Sequence, residues 1–173
     1  LNVPHPKVFA RVLRENNQQR KASWYIAFFQ IPGLPELALK SGGGKRLRQM
    51  LASSSTNRST FTDADVEVYV DNFTQPGAAT AMINYYRAVA RYRNSATDVG
   101  RIKVPTLMLW GEADTALTKE CTYGTDGYVD DLTLRYLPGV SHWVQQDAPD
   151  TVNDMLLAWL AGDTVNGPDG RVI

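Results

Sequence analysis

Between Val104 and Gly111 the chain reads Val-Pro-Thr-Leu-Met-Leu-Trp-Gly, an apolar run of strand length with no polar alternation. A strand that carries apolar residues on both faces must be covered on both, as strands inside a parallel sheet are. The run ends in Glu112, Ala113 and Asp114. A second, shorter strand is expected from Leu132 to Leu137, and a Pro138-Gly139 turn leads from it into Val-Ser-His-Trp-Val-Gln-Gln-Asp, which carries His142. The pattern therefore places an acid just past one buried strand and a histidine just past the next.

Ahead of these strands the pattern is helical. From Pro6 to Phe29, Val8, Phe9, Val12 and Leu13 and then Tyr25, Phe28 and Phe29 recur at helical spacing, and Ile31-Pro32-Gly33-Leu34-Pro35 breaks the run. Thr62 with Asp65 makes a capping-box-like start for a short helix that Gln75-Pro76-Gly77 ends. Met82, Tyr86 and Val89 mark one face of a helix from Ala78 to Arg93, and a polar link from Asn94 to Gly100 follows. Asp147 and Pro149 open a final helix with Val152, Leu156, Trp159 and Leu160 expected to face inward, ended by Gly162. The chain thus reads as an α/β protein in two parts: a helical segment over 1–98, then a strand, helix, strand, helix tail over 99–173.

The composition is globular, with 43% hydrophobic and 10% aromatic residues in 173. Eighteen Lys and Arg balance 18 Asp and Glu, so no global field favours nucleic acid or an acidic membrane surface. The densest basic run, Lys40 to Arg48 around Gly42, Gly43 and Gly44, reads as a solvated loop and lacks the spacing of a phosphate-binding loop. One cysteine, Cys121, excludes an internal disulfide and a multi-cysteine metal site. No apolar run approaches the roughly 20 residues of a spanning helix, and a soluble, cytoplasmic setting is expected.

His142 is one of two histidines, and its placement after Asp114 gives it a chemical reading. A carboxylate bonded to one ring nitrogen fixes the tautomer and leaves the other to take a proton. His5, before Pro6 at a helix start, reads as structural. A nucleophile is not found: neither Gly-x-Ser-x-Gly nor Gly-x-Asp-x-Gly occurs.

Four motifs in order carry a family resemblance: Ser23 to Pro32 (Ser-Trp-Tyr-Ile-Ala-Phe-Phe-Gln-Ile-Pro), Asn84-Tyr85-Tyr86-Arg87, Leu109 to Asp114, and Ser141 to Asp147. Together with the Asn2-Val3-Pro4-His5-Pro6 opening they resemble the α/β-hydrolase-fold epoxide hydrolases. The resemblance covers nearly the whole chain and matches the C-terminal half of such an enzyme. It implies a helical lid over 1–98, followed over 99–173 by the last two parallel strands and flanking helices of the core.

It also implies roles. Two lid tyrosines, Tyr25 and Tyr86, would hold the epoxide oxygen, with Tyr85 the alternative if the register shifts by one. Tyr86 is preferred because it shares a face with Met82 and Val89 and precedes Arg87. An aspartate from an N-terminal half absent from these residues would open the epoxide, and His142, oriented by Asp114, would hydrolyse the resulting ester. Trp24, Phe28, Leu117 and Trp143 are expected apolar walls for a small apolar epoxide. No cofactor or metal is implied. A haloalkane dehalogenase or other α/β-hydrolase is the competing enzyme, disfavoured because a departing halide needs no proton donor. The competing non-enzyme is a fragment, or one half of a split protein, inactive without its complement.

Overall fold

A computed structural model describes residues 1–57, 59–92 and 99–168 of the chain. Most of the expected polar link from Asn94 to Gly100, and the division at residue 98, lie outside the described residues.

Two parallel strands, β1 (Thr106–Gly111) and β2 (Leu132–Leu137), pair in register from Thr106 with Leu132 to Gly111 with Leu137. The side chains of β1 divide between two layers with the period of two that a pleated strand imposes. Met108 and Trp110 pack with Val8 and Val12 of α1 (Pro6–Glu15), Leu117 and Cys121. Leu109 and Leu137 pack on the other face with Val144, Val152, Met155 and Val165. Burial of each large apolar side chain is worth about 1.5–3 kcal/mol, so these two layers are what hold the strands in place.

The single helical pattern expected from Pro6 to Phe29 is three helices: α1, α2 (Asn17–Ala22) and α3 (Trp24–Phe28). Asn16 divides the first two, because its side chain accepts from the Gln19 amide at 3.0 Å and caps α2. Periodicity alone does not report that interruption. His5 caps α1, its Nδ1 accepting from the Lys7 amide at 3.3 Å, and its ring stacks on Tyr128 with centroids 4.6 Å apart.

The segment read as a solvated loop belongs to α4 (Leu34–Ser54), broken only at Ser41 to Gly44. Gly42, Gly43 and Gly44 take positive φ there, and a Cβ on Gly44 would meet Val70 Cγ1 at 2.6 Å. The glycines turn the chain so that Leu47 and Leu51 reach α5 (Asp63–Thr74) and α6 (Ala78–Arg91), forming a cluster with Val66, Val70, Phe73 and Ala79. The Thr62–Asp65 capping box forms as expected.

Two apolar faces differ from expectation. Met82 and Val89 of α6 are exposed, and the buried face is Ala79 and Ile83. In the last helix, Val152 and Met155 are buried, whereas Leu156 and Leu160 face outward. Between β1 and β2 the chain forms two 3-10 turns, Lys119–Thr122 and Thr125–Tyr128, where a helix was expected. After β2 come α7 (Val144–Asp147) and α8 (Pro149–Ala161). No helix of the described residues is long and apolar enough to cross a membrane.

Candidate active site

β1 delivers the acid and β2 the histidine. The chain leaves β1 through a turn in which the Ala113 amide donates to Val140 O at 2.9 Å and the Asp114 amide to Gly111 O at 3.3 Å. Gly111 lies against the loop after β2 so closely that a Cβ would stand 2.2 Å from Ser141 O. The two loops are therefore in backbone contact, and the side chains that follow them meet. His142 Nδ1 lies 2.8 Å from Asp114 Oδ2.

The Asp114 side chain is 1% exposed and fully engaged. Its Oδ1 accepts the amides of Ala116 at 2.7 Å and Leu117 at 3.0 Å, and its Oδ2 accepts the Asn2 side-chain amide at 3.0 Å. Bonds to both oxygens fix the rotation of the carboxylate, which in turn fixes the imidazole. The His142 side chain is 37% exposed, and among the described residues nothing occupies its Nε2. That nitrogen is available to a water or a substrate atom.

Tyr25 and Tyr86 lie together, their rings edge to face with centroids 5.7 Å apart, and Phe29 packs against both. Arg87 holds this arrangement. Its guanidinium donates to Phe29 O at 2.9 Å and Ile31 O at 2.9 Å and forks onto Glu36 at 2.7 and 3.2 Å, so the turn after α3 is tied to α6. The Arg87 hydrogen bond keeps the Glu36 carboxyl below its usual range. Burial, then Tyr86, then the Asp114 carboxylate push the Tyr25 phenol up to about 12. Burial, followed by Tyr85, also raises Tyr86. Both are phenols at neutral pH, and among the described residues neither hydroxyl has a hydrogen-bond partner. Tyr85, the alternative, is 71% exposed.

The expected apolar walls are placed differently from one another. Phe28 is half-buried beside Phe29, while Trp24 is largely exposed against Phe28. Leu117 lies in the core layer with α1 and β1. Trp143 packs edge-on to Phe61 and donates to Ser54 Oγ at 2.7 Å, which makes it a joint between the helical segment and the histidine loop. Three surface clefts, of about 510, 720 and 410 Å³, are lined by other residues, the largest between α4 and α5. No group of three or more His, Cys, Asp or Glu suited to a metal ion occurs among the described residues.

Sequence reasoning assigns no role at the site to three polar residues. Asn2 bonds to Asp114 and to the histidine loop. Gln19, fully buried, braces the acid loop, donating to Ala116 O at 2.8 Å and accepting from the Thr118 amide at 2.7 Å. Asp147 accepts the Ser141 amide at 2.9 Å. Local pattern does not single out such residues, because their partners are about 100 residues away in two of the three cases.

No protein-family model matches the chain. Epoxide hydrolase 2 of Caenorhabditis elegans is 36% identical over 174 residues, covering 99% of this chain and 49% of that protein. Human epoxide hydrolase 4 is 37% identical over 95% of this chain and 46% of its own length. The chain thus spans about half the length of the curated relatives it matches. Among solved structures, an epoxide hydrolase of Bacillus megaterium superposes with a TM-score of 0.79 at 26% identity, covering 91% of this chain and 58% of that one. An epoxide hydrolase from hot-environment metagenomes superposes with a TM-score of 0.72 at 28% identity, covering 92% and 57%. The chain belongs to the α/β-hydrolase-fold epoxide hydrolase family and corresponds to the C-terminal part of its members.

Proposed function

We propose that this chain supplies the lid (1–98) and the acid and histidine (99–173) of an enzyme that hydrolyses epoxides to vicinal diols. An aspartate from an N-terminal half, on the same polypeptide or as a second chain, attacks an epoxide carbon. The ring C–O bond breaks, and the oxygen takes a proton from the Tyr25 and Tyr86 pair, leaving a hydroxyalkyl ester on the aspartate. His142 Nε2 then removes a proton from water, the hydroxide adds to the ester carbonyl, and collapse releases the diol and restores the carboxylate. Asp114 stabilises the imidazolium formed in that step. The imidazolium passes its proton to the departing alkoxide, and the second proton of the water returns to the tyrosinate, so epoxide and water become the diol with no net proton released.

Paired phenols with unengaged hydroxyls carry this reading. An alkoxide is a far stronger base than a phenolate, so even a phenol with a raised pKa protonates it, while the intact phenol remains a donor across the neutral range. A halide leaving group takes no proton and would make no use of such a pair. The aromatic setting of Tyr25, with Trp24, Phe28 and Phe29, suits a small apolar epoxide. Without the attacking aspartate the chain is inactive by itself.

Tyr25→Phe and Tyr86→Phe in the full-length enzyme test the reading. Each variant is expected to lower epoxide turnover by roughly 10- to 1000-fold, the range for loss of one positioned donor. Unchanged turnover in both variants refutes it.

A further inference from the structure

We propose that Asn2 is a positioning residue for the acid and histidine pair: its side-chain amide sets the distance between Asp114 and the loop that carries His142. The inference rests on the functional reading of that pair given above.

Asn2 is 1% exposed and is the one non-glycine residue with positive φ, at 43°, among the described residues. That conformation is unfavourable for a residue with a Cβ, and asparagine tolerates it better than most. Both ends of the side chain are used. Oδ1 accepts the Gly111 amide at 2.8 Å, and the Asn2 backbone amide donates to Leu109 O at 3.1 Å, so the residue is fixed to the edge of β1. From there Nδ2 faces three acceptors: Asp114 Oδ2 at 3.0 Å, Ser141 O at 3.2 Å and His142 O at 3.3 Å. Two amide hydrogens serve three acceptors, one of them shared.

The acceptors belong to the acid and to the peptide carbonyls on either side of the step into His142. One amide group therefore bridges the two loops whose separation decides whether Nδ1 reaches Oδ2. Serine is too short to span from β1 to both loops. Aspartate keeps the acceptor for Gly111 but sets a second carboxylate against Asp114. Asparagine supplies both a donor and an acceptor at this reach.

The test uses the full-length enzyme with Asn2→Gly, which keeps the backbone conformation accessible and removes only the amide, and Asn2→Asp, which keeps the shape. Turnover is normalised to the folded fraction. For Asn2→Gly, kcat is expected to fall by roughly 10- to 100-fold, as when a group that orients a reacting side chain is lost. KM should stay within about twofold, since no substrate contact is removed. The low-field imidazole Nδ1 proton resonance, assigned through its loss in His142→Gln, should shift or broaden. Asn2→Asp adds negative charge beside the pair, favours the imidazolium, and should move the acid limb of the kcat profile to higher pH. A residue important only for folding would lower stability and leave the normalised kcat, the pH profile and the resonance in place. That result overturns the proposal. If the parent enzyme turns over no epoxide, the functional reading fails, and the resonance still decides whether Asn2 positions His142.

Discussion

Asp147 Oδ1 lies 2.5 Å from Ser55 Oγ, and through that bond the segment leaving α4 is fastened to the loop that carries His142. The same carboxylate accepts Thr60 Oγ1 at 2.9 Å and the Ser141 amide at 2.9 Å. Ser141 is thus held from both sides, its amide by Asp147 and its carbonyl by Asn2. The helical segment and the His142 loop share one anion.

Asp147→Asn places an NH2 group among these donors and is expected to cost about 2 kcal/mol, in keeping with loss of hydrogen bonds to a charged group. Burial works to raise the Asp147 carboxyl, but hydrogen bonds from Ser141, Ser55 and Thr60 outweigh it, so the group sits below its ordinary value. Its contribution is therefore full above the unfolded aspartate pKa of about 4 and is lost as pH falls through the lower folded value. Denaturant melts of both proteins should show a constant stability gap from neutral pH down to about 5 and a shrinking one below about 4. A gap that persists unchanged in acid contradicts this account.

Gly111→Ala tests the contact between the two loops. The added methyl would stand 2.2 Å from Ser141 O and 2.5 Å from Val140 O, both backbone atoms that cannot swing aside. The histidine loop must move, and with it the 2.8 Å bond to Asp114. We expect a destabilisation of about 2–4 kcal/mol and loss of most turnover per folded molecule, read from melts and initial rates on the same samples. Near-normal turnover in a folded Gly111→Ala enzyme would mean that the loops do not depend on this approach.

How much of this was legible in the sequence follows the range of the interactions. The strands at Thr106–Gly111 and Leu132–Leu137 could be read because continuous apolar runs have no other economical burial, and the capping box because Thr62 and Asp65 are local partners. The closeness of Asp114 and His142 was inferable because strand ends order the loops that follow them. The buried face of α6 was not: Met82, Tyr86 and Val89 share a helical face, but α6 packs through Ala79 and Ile83, where small side chains permit close approach. In α8 the outward Leu156 and Leu160 have inward character by pattern alone, and tertiary placement decides otherwise. Asn2 stands in the opening motif, but the motif assigns it no role, since its partners lie more than a hundred residues away.

The tyrosine pair makes a prediction of opposite sign to that of Asp147. Burial, the neighbouring Tyr86 and the Asp114 carboxylate all oppose ionisation of Tyr25, which is raised to about 12 against roughly 10 for an ordinary phenol. A group with a raised folded pKa contributes stability that is full below its unfolded value and is lost as pH climbs through the folded one. Subtracting the tyrosinate absorbance of Tyr25→Phe from that of the parent should therefore give a step displaced well above pH ~10. Over that interval the phenol stays a proton donor, so an alkaline decline in epoxide turnover centred near pH ~10 would have to come from another group. A difference step centred at the ordinary tyrosine value would show instead that Tyr25 is open to solvent and electrostatically remote from Asp114, and would remove the reason for pairing it with the histidine site.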